Sequence, residues 1–523
     1  MNRIFRSLAA ALLLGMGLMS TAARAEWLEA KTKHFIVVGN SSEADLRKRA
    51  LRLEQFDAAM RFLVGGEEGV RVRLYLLNSM GDLQRLADND SIGGFYSASA
   101  QEAHAFMPMK ILNAGPGFTA EAVLLHEYTH HMLLGSTTSF IPRWATEGLA
   151  EMFMTAKLAD DGSVTIGAAS GRSWAIKAMH RWSVEEMIRK DTTKVSNDEV
   201  EERYSRGWAL CHYLWMSGKR SGQYVEFLRL FNQDGDQLKA AQKAFGDLRK
   251  LDGELDAYLQ RSAFNVSKLT AEQIKPSREV VVRRMSEGES AMIMSRMISA
   301  RGVDKDQAAA LYAQARPIAL RYPADATVQA WFAEIAMDAE HLDDADAAAD
   351  RALAADPDNL SAMAFKGRVI ASRAYASKSA ADWKAARSWF LRANKVDAND
   401  PYPFQLFYDS FGAAGETPNA SAIAGLYRAV MLMPQDMSLR TRAGLELLRA
   451  GDLAGAREVL APVAFNPHGS AENPTTKLLE AIDAGLDKDG LLAKVKELKI
   501  GAENSLIPPK EGGANKDNTG DSN

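Results

Sequence analysis

Alternation of apolar and polar positions predicts short β-strands in the first part of the chain. Residues 70–77 read VRVRLYLL, the alternation of a half-buried strand, and residues 33–38 (KHFIVV) form a second short strand. Between them, residues 43–63 place Leu46, Ala50 and their successors at helical spacing. We therefore expect an amphipathic helix there, ended by two glycines, and a small α/β unit from residue 26 to about 115.

The stretch 94–108, GFYSASAQEAHAFMP, continues this unit. We expect part of it to be a strand near the edge of the sheet. Such an edge can pair with an extended peptide by strand addition, or it can be an ordinary edge strand that binds no ligand. His104 lies in this stretch and is a minor candidate for a side chain that reaches a cleft.

A helix is expected over residues 119–134. A turn at 115–117 precedes it, Thr119 is a suitable N-cap, and Gly135 is a suitable residue to end it. A polar loop, STTSF, leads to a second helix that reads RWATEGLAE over residues 143–151. From 173 to about 262 the pattern remains helical, and 276–284 reads as a linker with a short strand.

Alanine-rich helices with a repeating pattern begin near residue 286. Pairs of alanines seven residues apart recur, each followed after five residues by a turn position. With two further prolines, those positions are spaced by 34, 41, 36 and 33 residues, and the long interval implies an insertion at ASRAYASKS. The series resembles tetratricopeptide repeats, whose period is about 34, in spacing more than in consensus. The pairs are Ala345/Ala352, Ala386/Ala393 and Ala422/Ala429, and the turn positions are Pro323, Pro357, Ala398, Pro434 and Pro467.

The N-terminus has the pattern of an export signal. Two arginines, an apolar run over residues 8–19 and an A-x-A site predict a signal peptide over 1–25 with cleavage after Ala25, and hence a periplasmic or secreted protein. No later stretch reaches transmembrane length. The formal net charge of −4 argues against a nucleic-acid partner. Cys211 is the single cysteine, so no intramolecular disulfide can form; we expect a buried apolar residue, with metal ligation as the minor alternative.

The candidate chemistry lies in HEYTH, residues 126–130. On a helix, His126 and His130 share a face and can bind one metal ion, while Glu127 is placed to take a proton from water. A catalytic zinc needs three protein ligands and an open position. Glu147, 17 residues after His130, is the favoured third ligand; Glu151, one turn on, is its rival and otherwise an acceptor that orients a ligand histidine.

The phrases LLHEYTHHML and IPRWATEGLAEMF together resemble the gluzincin, or peptidase MA-like, metallopeptidases. The resemblance covers about residues 30–262 and is most specific at 124–151. It implies an α+β zincin-like fold whose edge strand lies over the cleft, with His126, His130 and Glu147 as zinc ligands and Glu127 as general base. The 17-residue separation is at the short end for such enzymes.

The resemblance also implies an oxyanion donor from a downstream helix. Tyr204 is our candidate for it, against the alternative of a packing tyrosine. His212 is a second candidate, although a core histidine is more typical of its apolar helix. His131 follows a ligand directly and is expected to be structural.

These patterns and the two resemblances together imply an α+β zincin-like metallopeptidase domain followed by an all-α tetratricopeptide-like solenoid. The expected boundaries are 26–270 for the peptidase domain, 271–285 for a linker, 286–485 for the repeats, and 486–523 for a helix and disordered tail. The expected function is a zinc-dependent metallopeptidase acting on peptide or protein, with repeats that bind substrate or a partner. Alternatives are a periplasmic scaffold with a vestigial or structural metal site, and a zinc hydrolase of another bond such as a cell-wall amide.

Overall fold

A computed structural model describes most of the chain. The described residues are 26–66, 69–89, 93–110, 119–135, 141–169, 182–191, 196–466, 473–501 and 504–506. Several sequence-based expectations lie outside them: the signal peptide, the turn at 115–117, the loop at 136–140, Pro467, and the tail beyond residue 506.

A six-stranded mixed sheet forms the first layer of the N-terminal region, in the order β4-β5-β3-β2-β1-β9. The strands β2, β3 and β5 are parallel, and β4, β1 and β9 pair antiparallel to their neighbours. The bounds are β1 Leu28–Lys31, β2 Phe35–Gly39, β3 Val72–Leu77, β4 Phe95–Ala98, β5 Ala103–Pro108 and β9 Val281–Arg284. The expected edge stretch thus becomes two strands, of which β4 is the edge. Strand β9, within the stretch predicted as a linker, joins the sheet beside β1.

A smaller antiparallel sheet, not expected from the sequence, joins residues far apart in the chain. Its order is β6-β7-β8, with bounds Lys157–Leu158, Val164–Ile166 and Ser267–Leu269. Strand β8 comes after the long helical part of the N-terminal region. Its pairing with β7 returns the chain to residues 164–166 before the repeats begin.

Ten helices complete the N-terminal region within the described residues. They are α1 Glu43–Val64, α2 Met80–Ala87, α3 Ala120–Leu134, α4 Arg143–Phe153, α5 Val184–Arg189, α6 Asn197–Met216, α7 Gln223–Asp234, α8 Gln237–Phe245, α9 Leu248–Leu259 and α10 Ala271–Ile274. Helices α1 and α3 pack on one face of the large sheet and α2 on the other. The expected helices at 43–63, 119–134 and 143–151 are confirmed to within a few residues.

The C-terminal region is all helical, and its helices pair consecutively into hairpins. Their bounds are α11 Glu287–Arg301, α12 Lys305–Arg321, α13 Ala326–Asp338, α14 Leu342–Ala355, α15 Leu360–Ser377, α16 Ala380–Val396, α17 Pro401–Ala413, α18 Ala420–Leu432, α19 Met437–Ala450, α20 Leu453–Ala464, α21 Pro474–Asp483 and α22 Lys488–Glu497. The coarse prediction, a mixed α/β region followed by an all-α region, is confirmed.

The alanine pairs found in the sequence lie where hairpin helices touch. All six alanines are fully buried on the second helices of their hairpins. Pro323, Pro357 and Pro434 each follow the end of such a helix by two residues, since proline cannot continue it. The inserted stretch lengthens α15 to 18 residues, against 13 in α13 and α17.

The two regions are packed against each other. Arg296 of α11 donates to Glu102, beside β5, and to Glu334 of α13, both at 2.7 Å. One core cluster runs from the sheet through α3 and α6 into the later hairpins. None of the described helices is both long and apolar enough to cross a membrane.

Candidate metal centre

Helix α3 carries the two histidines of the motif. Thr119 caps it, accepting the backbone N–H of Ala122 at 3.1 Å, and Gly135 follows its last residue. Tyr128, on the core side, donates a hydrogen bond of 2.6 Å to Asp57 of α1, which fixes the rotation of the helix. Because residues four apart share a face, His126 and His130 then point the same way.

Three donor atoms converge at this face. The Nε2 atoms of His126 and His130 are 3.1 Å apart, and Glu147 Oε2 lies 3.5 Å from the first and 3.4 Å from the second. These three side chains form a group with the spacing of metal ligands. A tetrahedral zinc with bonds of about 2.0–2.1 Å separates its ligand atoms by about 3.3 Å, so the donor set fits such an ion.

Helix α4 presents Glu147, and a distant aspartate fixes the start of this helix. Pro142, the N-cap, offers no side-chain acceptor. Asp191 takes that role, accepting the backbone N–H of Arg143 at 3.1 Å and of Trp144 at 2.7 Å. Burial raises the pKa of Asp191, against the lowering effect of hydrogen bonds from the Gln237 side chain and the Trp144 backbone. Asp191 could not be found from local sequence, because its partners are 47 and 48 residues away.

Two glycines bring α4 and α6 into backbone contact. A Cβ on Gly148 would lie 2.3 Å from the carbonyl carbon of Gly207, and one on Gly207 would lie 2.4 Å from the carbonyl oxygen of Trp144. No side chain fits at either position. The close approach lets α6 carry Tyr204 to the metal-ligand face, and sequence reasoning assigned no role to either glycine.

Tyr204 lies beside the candidate ligands. Its ring stacks on that of His126, with centroids 6.0 Å apart and planes 28° apart. The side chain is largely buried. Of the two downstream residues considered for oxyanion stabilisation, Tyr204 is therefore the one that the fold brings to the site.

The centre is strongly acidic for a buried place. Glu127, Glu147 and Glu151 are each at most 6% exposed. Burial raises the pKa of Glu127, against the charges of the two histidines. For His126, burial alone would lower the pKa, but its hydrogen bond to Glu147 and the surrounding carboxylates raise it. Buried carboxylates beside two imidazoles favour a bound cation, since an uncompensated buried charge is costly.

Glu151 sits behind the histidines and not between them. Its Oε1 atom lies 3.9 Å from Nδ1 of His126, on the opposite side of the ring from Glu147. That position suits the expected alternative role, an acceptor near a ligand histidine, better than direct ligation.

His131 is turned away from this face. Its Nδ1 lies 2.5 Å from the hydroxyl of Tyr96 on β4, and its ring stacks on Tyr128. Burial, and then the nearby charge of Arg61, lower the pKa of His131 to about 3, so the imidazole is neutral. The expectation of a structural histidine agrees with these contacts.

The remaining minor candidates do not reach the centre. His212 is fully buried, with Nε2 2.8 Å from the Gly167 carbonyl oxygen and Nδ1 2.9 Å from the Tyr258 hydroxyl. Cys211 is fully buried against the Ala145 carbonyl, and burial raises its pKa. His104 contacts Phe106 on the sheet face opposite to α3, and thus cannot reach the cleft.

A second group of potential ligands consists of Glu54 and Asp57 on α1 and His34 just before β2. Its donors are already engaged with protein partners. His34 Nδ1 is 2.8 Å from Glu54 and 3.1 Å from Asp57, and Asp57 also pairs with Arg61 at 2.8 Å. Because a guanidinium already neutralises the carboxylate, this group is a structural ion network that holds α1 to β2 and α3.

One known family matches the part of the chain that contains this site. Residues 120–234 match a family described as "Protein of unknown function (DUF1570)". The match begins with α3 and spans all the candidate ligands and Tyr204. No peptidase family matches, and the matched family has no assigned activity.

Other comparisons add little. No curated protein matches the chain significantly. Among 15 matching chains of solved structures is "MamA RS-1 ArsTM double mutant", at 18% identity over 34% of this chain and 94% of that chain, with a TM-score of 0.25. A likeness at that TM-score supports no conclusion about fold or function.

Proposed function

We propose that this chain is a zinc-dependent metallopeptidase of the gluzincin kind. One observation carries the proposal: His126, His130 and Glu147 bring donor atoms within 3.1–3.5 Å of one another. Two histidines and one carboxylate are a ligand set of catalytic zinc, which retains an open position. The proposal also takes the sheet, α3 and α4 as a zincin-like arrangement.

Glu127 is the proposed general base. Bound zinc would supply a Lewis acid that acidifies water and polarises a carbonyl. Glu127, directly after the first ligand, would accept a proton from the attacking water and return it to the leaving amine. Its raised pKa, caused by burial, suits a group that must both take and give a proton near neutral pH.

Tyr204 is the proposed donor to the oxyanion. The transition state of peptide hydrolysis concentrates negative charge on the former carbonyl oxygen, and a fixed donor there lowers the barrier. Tyr204 stacks on the ring of a ligand and is held by α6, which is itself fixed against α4 through Gly148 and Gly207. Its phenol would thus be oriented before the substrate arrives.

Strand β4 is the proposed substrate strand. It is the edge of the large sheet, and α3 packs beside it. An extended peptide that added to this edge would gain backbone hydrogen bonds and lie alongside the ligand helix. The proposal places the enzyme outside the cytoplasm, from the pattern of residues 1–25. It assigns binding of substrate or a partner to the tetratricopeptide-like repeats.

Replacement of Glu127 by glutamine tests the proposal. The variant keeps the side-chain shape and removes the base, so zinc should be retained and cleavage of a broad peptide library lost. Glu121→Gln, an exposed position on the same helix that pairs with Arg52, is the matched control and should cleave like the parent. A parent that holds no metal would instead favour the scaffold alternative. Equal cleavage by Glu127→Gln and the parent would show that the activity does not come from this site.

A further inference from the structure

A short loop between two repeat helices contacts both the turn beside β4 and the end of α3. It is the α18–α19 loop, residues 433–436, whose last residue caps α19. Its contacts are with the β4–β5 turn and with the C-terminal end of α3. These are the elements that carry the proposed substrate strand and the two histidines.

Asp436 joins the loop to the turn beside β4. Its Oδ1 atom accepts the backbone N–H groups of Ser438 and Leu439, at 2.8 and 2.9 Å, as the cap of α19. Its Oδ2 atom accepts the N–H of Ala100, at 2.8 Å. Asp436 and Ala100 are 4% and 1% exposed, so little water competes for this bond. One carboxylate therefore serves a repeat helix and the turn after the edge strand.

Gln435 and Arg440 join the same segment to the end of α3. Gln435 Nε2 donates to the carbonyl oxygen of His131 at 3.1 Å. The guanidinium of Arg440, on α19, lies 3.4 Å from the carbonyl oxygen of Leu134. A cation beside the last carbonyls of a helix complements the helix dipole. His131, whose carbonyl accepts the Gln435 bond, also contacts the hydroxyl of Tyr96 on β4 through its Nδ1 atom.

We infer that the α18–α19 loop is a positioning element of the site, holding β4 and α3 in fixed register. The inference rests on the proposed function, because its consequence is that a substrate bound along β4 is aligned with the histidines of α3. Asp436 acts through β4, and Gln435 acts through α3. The repeats would thus complete the site in addition to any binding of their own.

Asp436→Asn in the chain from residue 26 onward tests this inference. The amide oxygen can still cap α19, but an NH₂ group then faces the Ala100 N–H, so the bond to the turn is lost. Amide exchange in residues 95–104 should quicken by about tenfold or more, since a buried hydrogen bond is lost. On an internally quenched fluorescent peptide library, KM should rise about tenfold. The kcat and the zinc content should stay within about twofold of the parent values.

Asp452→Asn is the matched control, because Asp452 caps α20 by accepting the N–H of Gly455 and, among the described residues, its carboxylate has no bond to β4, β5 or α3. It should change neither exchange nor KM. Unchanged exchange in β4 of Asp436→Asn would overturn the inference, and so would equal losses of kcat and zinc content. If the parent cleaves nothing, the proposed function fails, and exchange alone decides the positioning role. If Asp436→Asn does not fold, Gln435→Ala should give faster exchange at the end of α3, and no change there would likewise overturn the inference.

Discussion

Gly148 of α4 and Gly207 of α6 stand in backbone contact behind the candidate centre. A Cβ on either residue would come within 2.4 Å of the other helix's backbone. Because α4 carries Glu147 and α6 carries Tyr204, this contact sets the distance between a candidate ligand and the candidate oxyanion donor.

Gly207→Ala should therefore damage stability and the site together. The methyl group has no room, and overpacking of this kind costs about 1–3 kcal/mol in the free energy of unfolding. Chemical denaturation measures it. Gly253→Ala is the control: this glycine lies within α9 with nothing within 4 Å of an added Cβ. That variant should gain up to about 1 kcal/mol from helix propensity. Equal effects of the two substitutions would contradict the close contact.

Zinc affinity should distinguish Glu147 from Glu151. Glu147 approaches Nε2 of both histidines, whereas Glu151 lies beside Nδ1 of His126, the nitrogen turned away from Glu147. Glu147→Ala should lower zinc affinity at least about 100-fold and Glu151→Ala by about 10-fold, the lower end for a residue that only orients a ligand. Titration with a competing chelator measures both. The reverse order would assign ligation to Glu151.

Much of this arrangement could be predicted from local sequence. The period of apolar residues located α1, α3 and α4, and alanine spacing located the later hairpins, because short-range packing governs both. The HEYTH motif and Glu147 follow from helix geometry and the chemistry of zinc ligands. These three helices and the positions of the repeats could be predicted because both depend on residues close together in the sequence.

What could not be predicted depends on contacts distant in sequence. Asp191 caps a helix 47 residues away, and Gly207 matters only because α4 lies against it. A short strand was expected within 276–284, but its pairing with β1, some 250 residues away, could not be predicted from local sequence. His104 was weighed as a cleft residue, but strand alternation turns it to the other face once β5 is paired.

Tyr204→Phe should slow turnover without loss of zinc. The ring can still stack on His126, and only the hydroxyl is removed. If that hydroxyl stabilises the oxyanion, kcat should fall about 10²–10³-fold. Tyr213→Phe, on the same helix but bonded to Glu254, serves as the control and should leave kcat unchanged. An unaltered kcat in Tyr204→Phe would make this residue a packing tyrosine.

His104 should make stability fall in mild acid. Burial, against the charge of Glu102, lowers its pKa from 6.5 to about 4, so the unfolded chain binds a proton that the folded chain does not. Its contribution is complete above pH 6.5 and is lost as the pH falls toward 4. His104→Leu should remove this loss, so the variant should gain about 1–3 kcal/mol over the parent between neutral pH and that acid limit. Parallel profiles of unfolding free energy against pH would refute the assignment.

Anomalous diffraction at the zinc edge, from crystals of the chain beginning at residue 26, tests the central claim most directly. The account predicts one strong peak about 2.0–2.2 Å from the Nε2 atoms of His126 and His130 and from a carboxylate oxygen of Glu147. No peak at these residues in protein grown with zinc, or a peak only at His34, Glu54 and Asp57, would contradict it.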